Sequence, residues 1–309
     1  MEAKTGNRVV GVGGANIDIH MKIEGPYVLR DSNPGRLFAS AGGVTRNILE
    51  NLAKLGVDCS LLTAVGDDIF RNIIMRSCED AGISTEMFYL SNAGSTSSYL
   101  DLIDGSGDMF VGACDADVLE NMPLSHLDRC KSYIKEADAI VCDTNLKTSQ
   151  LEKLIELSEG VPLFIDPVST GKAVRIKDIS GSFYLIKPNR IELGALTGMD
   201  CSGDKDIEKA CELLLCKGTK VMVVSLGTEG CYYADQIGRC FFKKPKKVEE
   251  MVNASGAGDA FMAGLVYSYL KKFDPEKMTD TALLCGGIAV MSEETINPEM
   301  SEELIYPQI

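Results

Sequence analysis

The chain has 309 residues, of which 45% are hydrophobic and 25% charged; this excludes a disordered segment and fits one large folded domain or two small ones. Its formal net charge of −14 excludes a surface for a nucleic-acid polymer or for anionic lipid, while leaving room for a small phosphorylated ligand neutralised locally by Mg²⁺ and backbone amides. The 11 cysteines include no C-x-x-C pair and the 2 histidines, His20 and His126, lie far apart, so a zinc motif is excluded and the cysteines read as small buried hydrophobes of a reducing compartment.

The first residues, MEAKTGNRVV, lack the apolar core of a secretory signal, and no run long enough to span a bilayer follows, so a cytoplasmic protein is expected. Val9–Val12 predicts a buried strand. Ile17–Ser40, with the turn-like Asp31-Ser-Asn-Pro-Gly35, predicts antiparallel strands set beside a main sheet. Asn47–Leu55 predicts a helix, Cys59–Ala64 a strand and Ile69–Ala81 a helix. Ser95–Cys114, around Asp104-Gly-Ser-Gly107, predicts a second antiparallel insertion, either structural or a lid over a site.

Alternation then resumes. Strands are expected at Ala139–Cys142, Leu163–Ile165, Phe183–Ile186 and Lys220–Ser225, and helices at Thr148–Leu157, Arg190–Leu196 and Asp206–Lys217. Gly258–Phe273 carries Phe261, Leu265 and Tyr269 at a helical period, Thr281–Met291 predicts another buried helix, and the tail beyond Glu293 carries no pattern. Strand–helix alternation implies a mainly parallel sheet covered by helices on both faces. With no internal repeat and no long linker, residues 1–309 read as a single α/β domain.

Two glycine-rich segments are decoys. Gly11-Val-Gly-Gly-Ala-Asn16 follows a strand but lacks the third glycine of a dinucleotide fingerprint. Asp166-Pro-Val-Ser-Thr-Gly-Lys172 lacks the first glycine of a P-loop and has Ala173 where a hydroxyl would bind Mg²⁺. Neither a G-x-S-x-G elbow nor an H-E-x-x-H helix occurs.

The segment Asn253-Ala-Ser-Gly-Ala-Gly-Asp-Ala260 opens a helix. Gly256, Ala257 and Gly258 are small enough for a ligand to approach the backbone. The first amides of a helix lack internal partners and point outward at the positive end of the dipole, which suits a phosphoryl group. Asp259 falls in that first turn, where a carboxylate can take a proton from an attacking hydroxyl. Alone, the segment reads more readily as an ordinary acidic helix start.

The segment resembles the C-terminal signature, D-T-x-G-A-G-D, of the PfkB carbohydrate kinases, the ribokinase family. Four further stretches match that family in order: Asn16-Ile-Asp18, Gly42-Gly-Val-Thr-Arg-Asn47, Lys187-Pro-Asn-Arg-Ile-Glu192 and Ser225-Leu-Gly-Thr-Glu-Gly230. The resemblance covers nearly the whole chain. It implies a ribokinase-like three-layer αβα sandwich with a mainly parallel central sheet and a small β lid. It also implies transfer of the γ-phosphoryl group of ATP to an alcohol, with Asp259 as base and Gly256, Ala257 and Gly258 holding the developing charge. Asn16, Asp18, Gly42, Gly43 and Asn47 would bind the acceptor's hydroxyls. Lys187, Asn189, Glu192, Ser225, Gly227, Thr228 and Gly230 would serve the nucleotide together with Gly256 and Gly258, with Asn189 and Glu192 holding Mg²⁺ through water. Where the family has its first acidic signature residue, this chain has Asn253, which puts activation by K⁺ in question.

Finer details point to a subgroup. Asp31–Gly35, Gly42–Gly56, Asp143-Thr-Asn145 and Asp166–Ala173 resemble the pseudouridine kinases, whereas ribokinases proper carry G-G-K-G-A-N at Gly42–Asn47. That resemblance implies a C-glycosidic nucleoside phosphorylated at its 5′-hydroxyl, with Asn145, Asp166 and Lys172 as further substrate contacts. It also implies a homodimer formed through a lid at about 17–40 and 95–114. Two other readings are an acceptor of another kind (adenosine, inosine, cytidine, ribose or fructose) and an inactive ligand-binding sensor. Retention of both Asp259 and Glu192 speaks against the sensor.

Overall fold

The computed structural model describes residues 7–104, 109–246 and 251–308. The six predicted strands are joined by three that were not anticipated, Ile83–Ser84, Cys231–Asp235 and Cys240–Lys243, in a nine-stranded sheet of the order Cys240–Lys243, Cys231–Asp235, Val221–Ser225, Leu185–Ile186, Leu163–Asp166, Ala139–Asp143, Arg8–Val12, Asp58–Leu62 and Ile83–Ser84. Neighbours pair parallel except at the first edge, where the three strands from Val221 to Lys243 form an antiparallel meander.

These strands are apolar along their length because both faces are covered. Successive residues serve opposite cores. Val9, Leu61, Val141 and Phe164 pack toward the helices Val44–Lys54, Ile69–Asp80, Ala257–Leu270 and Pro275–Ala289. Val10, Val12, Ile140 and Ile165 pack toward Thr148–Leu157, Arg190–Thr197 and Asp204–Lys217. Each fully buried Val, Leu or Ile contributes roughly 1.5–3 kcal/mol to that arrangement. The result is the expected three-layer αβα sandwich.

A second, four-stranded sheet has the order Gly35–Gly42, Asn16–Ile23, Ser98–Ile103 and Met109–Asp115. Its outer pairs are antiparallel, as expected, but its central pair, Asn16–Ile23 with Ser98–Ile103, runs parallel. Of the turn predicted at Asp104–Gly107, residues 105–107 lie outside the described residues. Both edge strands are exposed nearly throughout, leaving Leu37, Phe38, Met109 and Val111 open.

Several boundaries differ for local reasons. Cys59–Ala64 divides at Thr63 into Asp58–Leu62 and Ala64–Gly66, and the second piece pairs with Tyr89–Ser91 in a separate two-stranded sheet. The helix predicted from Thr281 starts at Pro275, because the Asp274 side chain caps the Lys277 amide and proline suits the first helical position. Eight cysteines are buried as expected, but Cys114, Cys216 and Cys240 are exposed, and all are free. Among the described residues no helix is long and apolar enough to cross a membrane.

Candidate active site

The site forms where parallel strands end, the usual place for a ligand in an open α/β sheet. Asp143 and Asp166 close adjacent strands as register partners, and both are buried. Buried carboxylates need compensation, and each finds a different kind. Asp143 accepts from the Gly14 amide (2.9 Å), the Thr45 amide (3.1 Å), the Thr45 hydroxyl (2.7 Å) and the Asn145 amide (2.8 Å). Asp166 pairs with Lys187 Nζ at 3.0 Å, and its other oxygen accepts from the Val168 amide at 2.8 Å. Burial opposes the charge on Lys187, but Asp166 beside it, with Glu192 and Asp259 farther off, holds its pKa above the ordinary lysine value.

Opposite these strand ends the helix Ala257–Leu270 begins at Gly256, whose φ is 76°. A Cβ there would lie 2.0 Å from the Thr295 carbonyl oxygen, so both the conformation and the space require glycine. The Ala257 amide makes only a long contact, 3.4 Å, to the Ala254 carbonyl, and the Gly258 and Asp259 amides have no acceptor among the described residues. Lys187 Nζ lies 3.6 Å from where a Cβ on Gly258 would stand. The turn therefore combines free amides, a helix N-terminus and a buried cation, a set of donors matched to a phosphoryl group. Asn253 braces the turn: its Oδ1 accepts from the Ser255 amide at 2.9 Å and its Nδ2 donates to the Glu293 carbonyl at 3.0 Å.

Asp259 is half-buried in the first helical turn and accepts from Asn47 Nδ2 at 2.9 Å. Burial, then the nearby negative charge of Asp166, push its carboxyl up to about 7; the Asn47 hydrogen bond and Lys187 pull down, and Asp143 adds to the rise. A carboxyl poised near neutrality is suited to proton transfer.

A cavity of about 280 Å³ is lined by Asn16, Asp18, Gly43, Asn47 and Asn145 among others; Asp259 is not in its wall and is joined to it through Asn47. The sequence thus anticipates five of its wall residues. Asn16 Nδ2 donates to Asp18 Oδ1 at 2.6 Å, and Gly42 is required beside them, since a Cβ there would lie 2.0 Å from Asp18 Oδ2. Burial raises the pKa of Asp18 against that hydrogen bond. Lys172 Nζ donates to Asn145 Oδ1 at 2.5 Å, so its placement beside the cavity is through Asn145. Asp166 does not line the cavity, contrary to expectation, because Lys187 engages it; Val168, two residues on, lines it instead. Tyr99 and Cys114, within the segment Ser95–Cys114 expected as a lid, line it too, as do Asp115 and Leu119; no local motif singles out any of the four.

Of the residues expected to serve a nucleotide, Ser225 ends its strand next to Asn189, and Gly227, Thr228 and Gly230 follow in the turn to Cys231–Asp235. The expected metal role of Asn189 needs correction. Its Oδ1 accepts from both the Ile191 and Glu192 amides at 2.9 Å, and Glu192 Oε2 accepts from the Asn189 amide at 2.9 Å. These bonds form a capping box that starts the helix Arg190–Thr197. Only Glu192, with Oε1 uncommitted in that box, keeps a carboxylate oxygen for a cation. One protein carboxylate is a fitting donor set for Mg²⁺, which takes its other ligands from phosphates and water.

A sequence model described as pfkB family carbohydrate kinase matches residues 7–302. The chain is 34% identical to the pseudouridine kinase of Escherichia coli (strain K12) over 293 residues, covering 95% of this chain and 93% of the relative. It is 23% identical to the pseudouridine kinase of Arabidopsis thaliana, covering 95% and 93%. The ribokinase of Arabidopsis thaliana, solved with ribose and ATP, superimposes with a TM-score of 0.86 at 20% identity, covering 98% of both chains.

Replacing Gly256 with alanine should separate turnover from folding. The added Cβ would meet the Thr295 carbonyl, so the turn must shift: G256A is expected to stay folded on its buried helix with a lowered melting temperature, while turnover falls roughly 100-fold or more because the amides are displaced. Thermal melting together with steady-state rates checks this; unchanged turnover would show that the turn does not meet the reacting phosphate.

Proposed function

The chain belongs to the pfkB family of carbohydrate kinases, phosphotransferases that act on hydroxyl groups, and we propose that it transfers the γ-phosphoryl group of ATP to the 5′-hydroxyl of pseudouridine. The observation that carries this reading is that Asn47 lines a polyol-sized cavity and donates to the Asp259 carboxyl, whose helix start offers unbonded amides. The fine substrate assignment leans on the 34% identity to the Escherichia coli pseudouridine kinase.

In the proposed reaction the acceptor oxygen attacks the γ-phosphorus as the bond to the ADP oxygen breaks. Asp259 Oδ takes the hydroxyl proton during attack. The Gly258 and Asp259 amides and Lys187 meet the charge spread over the transferred group. Asp18 Oδ2, free of the Asn16 bond, accepts from a ribose hydroxyl, and Asn16, Asn47 and Asn145 complete the acceptor's surroundings. Glu192 would hold Mg²⁺ through water, and that ion would supply charge neutralisation between the phosphates. Because the base must be ionised to act, the rate should rise with pH through about 7. The whole chain acts as one kinase domain in this reading.

A panel of pseudouridine, adenosine, inosine, cytidine, ribose and fructose with ATP, products identified by mass, tests the assignment. Pseudouridine should give the highest kcat/KM and a 5′-monophosphate; faster phosphorylation of any other acceptor overturns it. Asp259→Ala should lower kcat by several orders of magnitude while nucleoside binding, read by calorimetry, persists. A variant that turns over normally would remove Asp259 from the mechanism, and one that binds nothing would mark it as structural.

Asn253 bears on the cation. Its amide already occupies the Glu293 carbonyl and lacks the charge that would attract K⁺. Rates in K⁺ and in a bulky organic cation at equal ionic strength should therefore agree within about twofold; a large stimulation by K⁺ would refute this.

The small sheet acts as a lid and as a dimer contact. Leu37 (59% exposed) and Phe38 (57%) on one edge strand, with Met109 (61%) on the other, leave large apolar side chains open for such a contact. Sedimentation should show a dimer that Phe38→Glu converts to monomer; a monomeric parent protein rules the contact out.

A further inference from the structure

We propose that Arg46 is a positioning residue for proton transfer: its guanidinium fixes the Asn47 amide in the one orientation that directs an N–H at the Asp259 carboxylate. The inference rests on Asp259 being the base.

Arg46 lies in the first turn of Val44–Lys54 and is 3% exposed. Its Nη1 donates to Asn47 Oδ1 at 3.0 Å and makes a longer bond to the Ala41 carbonyl at 3.3 Å. Nη2 donates to Ser77 Oγ at 2.6 Å and forms an ion pair with Glu50 one helical turn on. The guanidinium is thus tied to the end of the strand Gly35–Gly42, to the helix Ile69–Asp80 and to its own helix.

A guanidinium has five N–H donors and no acceptor. Only the oxygen of the Asn47 amide can face it. Turning that amide over would set NH₂ against guanidinium and carbonyl oxygen against the Asp259 carboxylate, replacing two bonds by two repulsions. The amide orientation is therefore dictated from both ends, with Asn47 Nδ2 at 2.9 Å from Asp259 Oδ2. A hydrogen bond given to a carboxylate favours its ionised form. Two other buried carboxylates, Asp166 and Asp143, oppose ionisation of Asp259, and Lys187 and Asn47 support it. Around Arg46 the titratable groups are Glu50, the Cys78 thiol and, farther off, Asp18. None of them replaces the Asn47 donor. Lysine in place of Arg46 could not serve, since one ammonium cannot present a planar fork to Asn47, Ser77 and Glu50 together.

The test is the pH dependence of kcat/KM for the wild type, R46K, R46M/E50M, N47L and R46K/N47L, with melting curves for each. R46M/E50M removes both partners of the buried pair, so no orphaned charge confuses the result. The expected outcome is an acidic limb moved up by about one pH unit in R46K and R46M/E50M, with kcat at pH 7 lowered several-fold. N47L should move the limb at least as far, and adding R46K to N47L should move it no further. Ser77→Ala, which loosens only the Nη2 anchor, should move it in the same direction by less. Folded Arg46 variants with an unmoved limb would overturn the proposal, as would an equal shift by R46K in the N47L background. Failure of the base reading would be seen separately, as an Asp259→Asn enzyme that retains both turnover and the acidic limb.

Discussion

A carboxylate with no contact with solvent organises this molecule. Asp143 sits at the end of a central strand, is fully buried, and takes four hydrogen bonds from Gly14, Thr45 and Asn145. Hydrogen bonds to a charged group are worth about 1.5–3 kcal/mol each, so four of them offset part of the cost of taking the charge out of water, although burial still outweighs them and raises the pKa of Asp143. The donors come from three places: the turn after the first strand, the first residues of the helix Val44–Lys54, and the turn after Asp143 itself. Those elements carry Asn16, Asn47 and Asn145. The three asparagines of the cavity wall are thus placed by one buried charge. The space is equally committed, since a Cβ on Gly13 would lie 2.3 Å from the Thr45 hydroxyl and 2.7 Å from the carboxylate.

The neighbouring strand repeats the device with a different partner. Asp166, in register with Asp143, is neutralised by Lys187 instead of by amides. Breaking such a pair on one side typically costs about 3–5 kcal/mol, so neither member is free to move. Its consequence is felt at Asp259. Burial first, and then the two carboxylates held close by, make this third one reluctant to ionise, while Asn47 and Lys187 limit the effect. The balance leaves Asp259, the proposed base, near neutrality, and leaves Lys187 charged beside the glycine turn. Positioning and charge are the means by which phosphoryl transfer is accelerated, and here both come from the rigid strand ends.

Much of this was legible from the chain, and the remainder was hidden for identifiable reasons. Parallel strands such as Ala139–Asp143 announce themselves as apolar runs because both faces are buried, and the helix Thr148–Leu157 matches its predicted bounds. The glycine turn and Asp259 are contiguous, so local chemistry suffices to find them. Asn189 was read from its motif as a metal-site residue, and its role as the cap of the following helix appears only in the structure. What sequence does not carry is pairing at a distance. The Asp166–Lys187 contact, the parallel pairing of Asn16–Ile23 with Ser98–Ile103, and the Arg46–Ser77 bond each join segments that no period or motif links. The cavity residues Tyr99 and Cys114 were missed for the same reason, since they reach the site only through that pairing.

Asp166 shows how a residue can shape a cavity that it does not line. Val168 has φ 63°, a left-handed conformation that a β-branched side chain adopts only under constraint. Such a residue costs on the order of 1–3 kcal/mol and persists where its surroundings over-determine it. The constraints are present: the Val168 amide donates to Asp166 Oδ1 at 2.8 Å, and the Ser169 amide reaches the Pro167 carbonyl at 2.6 Å. Asp166 is itself pinned by Lys187. The strained valine is thereby held in the cavity wall next to Asn145. One buried ion pair therefore acts in two directions, on the charge around Asp259 and, through a tight turn, on the apolar surface that an acceptor would meet. Any change that loosened the pair would alter both at once, which is a physical reason for the wall of the acceptor cavity and the charge of the phosphoryl site to depend on the same two residues.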